Sequence, residues 1–114
     1  MKFLCLAFGA EDGWNTLSED EKGEVLAQDA VIRSRGNLMS AVHTSVTSVR
    51  NWDRHLEVTE TPVAWNELPL AGFSLIEAPS VQEVIELVSN TPCARARGRI
   101  EIRLLRTAGD GSGA

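Results

Sequence analysis

"LAGFSLIEAPSVQEVIELV", residues 70–88, carries a strand signal and a helix signal next to each other. The stretch from 70 to 78 is apolar on both faces of an extended chain, which predicts a strand with packing partners on both sides. Ser80 and Glu83 then have the spacing of a capping box. The apolar positions that follow recur at i, i+3, i+4 and i+7: Val81, Val84, Ile85 and Val88. The stretch therefore predicts a central strand followed directly by an amphipathic helix.

The sequence before this stretch repeats the same pair of elements. Residues 2–8 are also apolar on both faces and predict a first strand. After a loop that contains glycine, Ser18 and Glu21 form another capping box, which predicts a helix over 18–35. Residues 37–50 are rich in Val, Thr and Ser and predict either two short strands or one bent strand.

The remaining segments complete the order of elements. The turn at 51–53 and the alternating strand at 55–59 predict a hairpin with the segment before them. Pro62 and Pro69 prevent the next segment from forming a central strand. The last strand, 99–105, has one apolar and one charged face, and the tail 107–114 is expected to be disordered. We therefore expect a single domain over 1–106.

This order of elements is the split βαβ arrangement of an α+β, ferredoxin-like fold with an inserted hairpin. The strands at 2–8 and 70–78 are expected at the centre of the sheet, and the last strand at an edge. Two helices can cover only one face of such a sheet. We therefore predict that a second copy covers the other face, in a homodimer that pairs sheet against sheet.

Composition excludes several classes of protein. The 114 residues carry a net charge of −5, which argues against a nucleic-acid partner. No window approaches the ~20 apolar residues that span a bilayer, so no membrane association is expected. Cys5 and Cys93 are too few for a disulfide framework, which favours reduced thiols in a cytoplasmic protein. The sequence has no Gly-rich phosphate loop, metal-ligand cluster or nucleophile elbow, so no cofactor is predicted.

Several segments together resemble the YCII-related family, in its DGPF-domain branch. They are "MKFLCLAFG", "W..LSEDE", "TSVR", "VTETP", "LAGFSLIEAPSVQEVIEL" and "PCARARGRIEIRLL", and they span residues 1–105. The resemblance implies a dimeric α+β barrel, found mostly in small bacterial cytoplasmic proteins of undetermined role. It also implies acid–base chemistry, since some related proteins are thought to use a His and Asp pair, and at least one is a lyase acting on a chlorinated aromatic.

The sequence departs from the family at the motif that names the branch. Where those proteins commonly read Asp-Gly-Pro-Phe followed by an acid, this chain reads Glu-Thr-Pro-Val-Ala-Trp over residues 60–65. Glu60 is therefore the counterpart of the motif's acid. Trp65 stands at the position of the second acid, and we interpret it as a pocket wall or a dimer contact.

His43 and Glu60 are the candidate catalytic residues, because a histidine beside a carboxylate can be tuned for acid–base work near neutral pH. His55 is the other available histidine and is expected to be more exposed. Arg50 and Arg103 are candidate substrate-binding residues, since guanidinium groups bind anions, although ion pairs with Glu101 or across a dimer explain them equally well. Cys93, near several arginines, is interpreted as a bystander thiol.

Two functions follow from these residues. The first is a cofactor-independent enzyme of the lyase or isomerase type that acts on a small organic molecule. The second is a non-catalytic ligand-binding or regulatory homodimer, which the departures at Thr61 and Trp65 favour.

Overall fold

The computed structural model describes residues 1–60 and 67–106 of the chain. In chain order its elements are β1 (Lys2–Phe8), α1 (Glu11–Trp14), α2 (Glu19–Ser34), β2 (Leu38–Ala41), β3 (Thr47–Trp52), β4 (His55–Glu60), β5 (Leu70–Glu77), α3 (Val81–Val88), α4 (Pro92–Arg95) and β6 (Arg99–Leu104). Four of these strands form an antiparallel sheet in the order β2-β5-β1-β6, and β3 and β4 form a separate two-stranded sheet.

The strand order confirms the predicted fold. With the hairpin left out, the order is that of the split βαβ arrangement, in which the first strand and the strand after the insertion are central. The last strand, β6, lies at one edge and pairs with β1, as its charged face predicted. The segment 37–50 forms two strands rather than one bent strand.

The hydrophobic core lies between the four-stranded sheet and the two long helices. Phe3 and Ile76 are register partners on this face of the sheet, and they pack with Ile32 of α2 and Val84 of α3. All four side chains are at most 2% exposed. Burial of one such aliphatic side chain contributes on the order of 1.5–3 kcal/mol to folding.

The opposite face of the four-stranded sheet, which we call the open face, is less well covered. Leu4 and Leu6 of β1 face Leu75 and Phe73 of β5 there, and all four are half-buried. Leu38 on the edge strand β2 is 56% exposed. The other edge carries charged residues of both signs: Arg99, Glu101 and Arg103.

The two predicted capping boxes form to different extents. At α2, Ser18 Oγ accepts a hydrogen bond from the Glu21 backbone, and the Glu21 carboxylate accepts one from the Ser18 backbone, both at 3.1 Å. At α3, only the bond from the Glu83 backbone to Ser80 Oγ is present, at 3.3 Å. The Glu83 carboxylate lies instead 3.9 Å from the Arg35 guanidinium, so the second box is only half formed.

Short helices occupy two segments that the sequence presents as loops. α1 and α4 contact each other. Two glycines in this region lie very close to the backbone of other segments. A Cβ at Gly13 would lie 2.0 Å from the Ala96 carbonyl oxygen, and one at Gly98 would lie 2.1 Å from the Phe8 carbonyl oxygen. Because these contacts are with backbone atoms, no side-chain movement could relieve them.

The hairpin of β3 and β4 is exposed along its whole length. Val49 pairs with Val58, and Leu56 lies on the same face, yet these three side chains are 55–66% exposed. Asp53 and Arg54 form its two-residue turn with positive φ angles of 53° and 63°. This is the left-handed backbone that the turns of such hairpins require.

Within residues 1–60 and 67–106, no helix is long and apolar enough to cross a lipid bilayer.

Candidate functional site

The two predicted catalytic residues lie at the ends of the segment that contains the hairpin. His43 is exposed in the connection between β2 and β3, and Glu60 is exposed at the end of β4, opposite Thr47. In the part of the chain that the structure describes, no hydrogen bond or ion pair joins His43 to Glu60. Their catalytic role therefore stays a prediction.

The predicted substrate-binding arginines both have carboxylate neighbours. Arg50 lies 3.0 Å from Glu57 across the hairpin, and its guanidinium is 5.0 Å from the centre of the Trp52 ring. Arg103 lies 3.7 Å from Glu101, which is the ion pair that the sequence offered as its alternative role. Trp65 falls outside the described residues.

A cavity of about 200 Å³ lies between α2 and the four-stranded sheet, and we call it the helix–sheet cavity. Asp29 and Arg33, one helical turn apart on α2, line one side of it. Residues of β1 and β5, including Cys5 and Ser74, line the sheet side, and Thr91 and Cys93 close the end near α4. Titratable and polar groups from four elements therefore face one space, which is partly open to solvent.

Burial perturbs the titratable groups of this cavity. It raises the pKa of the Asp29 carboxyl, because desolvation disfavours the charged form, while the positive charge of Arg33 acts in the opposite direction. The pKa of the Cys93 thiol is raised first by burial and then by the negative charge of Asp29. Cys93 is therefore a neutral thiol at neutral pH, and its neighbouring arginines do not activate it.

The second thiol of the cavity is also protonated. Burial raises the pKa of Cys5, against a smaller opposing effect of its hydrogen bond with Ser74. A protonated thiol is a weak nucleophile. Asp29 is therefore the group in this cavity best suited to exchange a proton with a bound molecule.

Sequence reasoning missed Asp29, although the sequence contains a signal for it. Val25 and Ile32 are almost completely buried on α2, and Asp29 lies between them on the same stripe at i+4 from Val25. A carboxylate within the apolar stripe of a helix costs free energy unless it has a partner or a function. That interruption of the stripe is the signal that could have identified the cavity.

Within the described ranges, 1–60 and 67–106, no group of three His, Cys, Asp or Glu side chains is placed to hold a metal ion.

Comparison with known proteins gives a limited result. No family model matches the chain, and no curated protein matches it. Membership of the YCII-related family therefore stays a prediction.

Among solved structures, the chain is similar to 5-chloro-2-hydroxyhydroquinone dehydrochlorinase (TftG) from Burkholderia phenoliruptrix, in its complex with 2,5-dihydroxybenzoquinone. The two are 16% identical, with a TM-score of 0.47, over 93% of this chain and 94% of that chain. At this identity and TM-score, the likeness indicates neither a shared activity nor a shared substrate.

Proposed function

We propose that the protein is a cofactor-independent acid–base enzyme, of the lyase or isomerase type, that acts on a small organic molecule in the helix–sheet cavity. The observation that carries this proposal is the position of Asp29, a carboxyl group inside a cavity where burial raises its pKa. General bases work best when their pKa is near the working pH, and enzymes commonly raise a carboxyl pKa by burial for this purpose.

The chemical step needs only groups that line the cavity. The Asp29 carboxylate takes a proton from a carbon atom next to a carbonyl group, and the electron pair of the broken C–H bond moves onto the carbonyl oxygen. The Arg33 guanidinium stabilises the resulting enolate, since fixed positive charge lowers the energy of a developing anion. The protonated Asp29 then returns the proton to carbon, or to a neighbouring atom of the substrate.

The test uses pentane-2,4-dione, whose central carbon carries an acidic proton between two carbonyl groups. Exchange of this proton for deuterium in D₂O is followed by NMR with and without protein. We expect the native protein to accelerate the exchange and Asp29→Asn to lose at least about a hundredfold of the acceleration, the lower end of the range that a general base supplies. Asp20→Asn is the control, because it makes the same chemical change at an exposed position of the same helix.

The same assay separates this proposal from the His43 and Glu60 pair. We expect His43→Ala and Glu60→Gln to leave the exchange rate unchanged. If these two variants lose the exchange while Asp29→Asn retains it, His43 and Glu60 are the catalytic residues and Asp29 is not. Arg50, Trp65 and Arg103 stay proposed substrate-binding residues for that arrangement.

A non-catalytic ligand-binding or regulatory homodimer is the second candidate. It is favoured by the lack of a hydrogen bond or ion pair between His43 and Glu60 within residues 1–60 and 67–106. If the diketone binds without any acceleration of exchange, this candidate replaces the enzyme.

We also propose that a second copy of the chain covers the open face. Leu4, Leu6, Phe73 and Leu75 form an apolar centre there, and β6 offers charges of both signs at its rim. An apolar centre with a polar rim is the usual anatomy of an interface, and a face with both signs can complement itself under twofold symmetry. Sedimentation of a monomer at micromolar concentration would exclude this dimer.

We place the protein in the cytoplasm, since Cys5 and Cys93 are free thiols.

A further inference from the structure

A second cavity lies beside the helix–sheet cavity, on the other side of Cys93. It has a volume of about 240 Å³ and is lined by Trp14, Ala10 and Ala96 among other residues, and we call it the Trp14 cavity. Ala71, Pro92 and Cys93 line both cavities. The two spaces therefore adjoin at these three residues, which we call the shared wall.

The shared wall contains an irregularity of the sheet. Ala7 pairs with Gly72 and Phe8 pairs with Leu70, so Ala71 is the extra residue of a β-bulge in β5. The Ala71 carbonyl accepts a hydrogen bond from the Val42 backbone at 2.9 Å, which fixes the bulge against the chain after β2. Bulges are common next to active sites, where they redirect a side chain. Here the bulged residue, Ala71, lines both cavities.

The sizes of the cavities also favour a joint function. Ligand pockets usually begin at about 300 Å³. Each cavity alone is smaller than this limit, whereas the two together exceed it. Their linings differ in chemistry, because Asp29 and Arg33 line the first while the indole of Trp14 and several alanines line the second.

We infer that the two cavities form one elongated ligand site, continuous past Ala71, Pro92 and Cys93, which binds an aryl-substituted carbonyl compound. The carbonyl end lies beside Asp29 and Arg33, where the proposed proton transfer takes place, so this inference rests on the proposed function. The aryl end lies against Trp14, since flat aromatic groups stack favourably on an indole.

The experiment compares two diketones that differ only at one end. 1-Phenylbutane-1,3-dione carries a phenyl group where pentane-2,4-dione carries a methyl group. Binding is measured by NMR titration, with the indole N–H resonance of Trp14 as a local reporter, in a protein in which Trp52→Phe and Trp65→Phe leave Trp14 as the only tryptophan. We expect the phenyl compound to bind at least about tenfold more tightly, consistent with burial of a ring, and to shift the Trp14 resonance.

A filling variant tests where the ring binds. Ala10 is exposed at the edge of the Trp14 cavity, and Ala10→Leu adds a side chain there without changing the helix–sheet cavity. We expect Ala10→Leu to abolish the preference for the phenyl compound. Ala27→Leu, at an exposed position on α2, is the matched control and should retain the preference.

The outcomes distinguish the two proposals. If the diketones bind equally, or if Ala10→Leu keeps the preference, the elongated site is wrong even when exchange is catalysed. If the preference depends on Ala10 while neither diketone is exchanged, the elongated site stands as a binding site and the proposed enzyme function fails.

Discussion

The four-stranded sheet and the hairpin are both antiparallel, and both have an apolar face. On the sheet, Phe3 and Ile76 are at most 2% exposed, because α2 and α3 pack over them. On the hairpin, Val49 and Val58 form a similar cross-strand pair, yet both are more than half exposed. The difference shows that alternation decides which residues share a face, whereas burial depends on whether another element reaches that face.

The same comparison applies to the candidate site. Glu60 and Arg50 lie on the hairpin, where water screens each charge. Asp29 lies under the sheet, where desolvation raises its pKa. The cavity therefore lies at the four-stranded sheet, which helices cover, and not at the exposed hairpin.

The largest expected effect is the difference in stability between a substitution at a buried position of the four-stranded sheet and one at an exposed position of the hairpin. Ile76→Ala removes a completely buried side chain and should lower the free energy of unfolding by about 2–5 kcal/mol. Val58→Ala on the hairpin should change it by less than about 0.5 kcal/mol, as is usual for exposed positions. Urea denaturation of both variants measures the difference. An equal cost at Val58 would mean that the apolar face of the hairpin is covered in solution.

A smaller effect concerns the helices that cover the sheet. Ser18→Ala breaks the complete capping box of α2 and should lower the free energy of unfolding by about 1 kcal/mol. Ser80→Ala removes the single capping bond of α3 and should lower it by about 0.5 kcal/mol. Thermal unfolding of the two variants side by side tests this order. A greater loss at Ser80 would contradict it.

A pH-dependent difference is expected at Asp29. Because its pKa is raised in the folded state, the folded chain keeps the proton at pH values where the unfolded chain has lost it. The contribution of Asp29 to stability is therefore complete below the unfolded pKa of about 3.9 and is lost as the pH rises through the folded pKa. Asp29→Asn removes this loss, so the variant should gain stability over the native protein as the pH increases.

The measurement is the urea midpoint of Asp29→Asn and of the native protein, followed through the same pH window. Parallel curves for Asp29→Asn and the native protein would show that Asp29 is not buried in solution.

The smallest effect is expected on the hairpin surface. Arg50 and Glu57 form an ion pair whose side chains are more than half exposed. Solvent-exposed pairs of this kind contribute about 0.2–1 kcal/mol. A double-mutant cycle with Arg50→Met and Glu57→Gln should therefore give a coupling energy of less than about 1 kcal/mol. A larger value would indicate that a partner surface desolvates the pair.

Much of the fold was predictable because its signals are local. The bounds of β1 match the prediction, those of α2 differ from it by one residue at each end, and those of β5 differ by one residue at the C-terminal end. The short helices α1 and α4 were not predictable, since contacts between distant backbones hold them rather than a periodic pattern.

The candidate site was predictable only in part. A carboxylate in the apolar stripe of α2 was visible in the sequence, but the cavity beside it is lined by residues of β1 and β5 that come together only when these strands pair. The hairpin residues were predicted as site residues because they are polar and lie near a family-like motif. Such a position in the sequence gives no information on whether a cavity lies beside them.

Gly13 and Gly98 have a consequence for recognising related chains. Each brings one backbone so close to another that any side chain would overlap a carbonyl oxygen. Gly13 lies against Ala96, and Gly98 lies against the Cys93 carbonyl oxygen as well, so both glycines fix the segment that supplies Pro92 and Cys93 to the two cavities. A chain with the same two cavities therefore needs glycine at both positions. A glycine just before a tryptophan early in the chain, and a second glycine just before the last strand, would therefore identify such chains more reliably than the acidic motif of the hairpin.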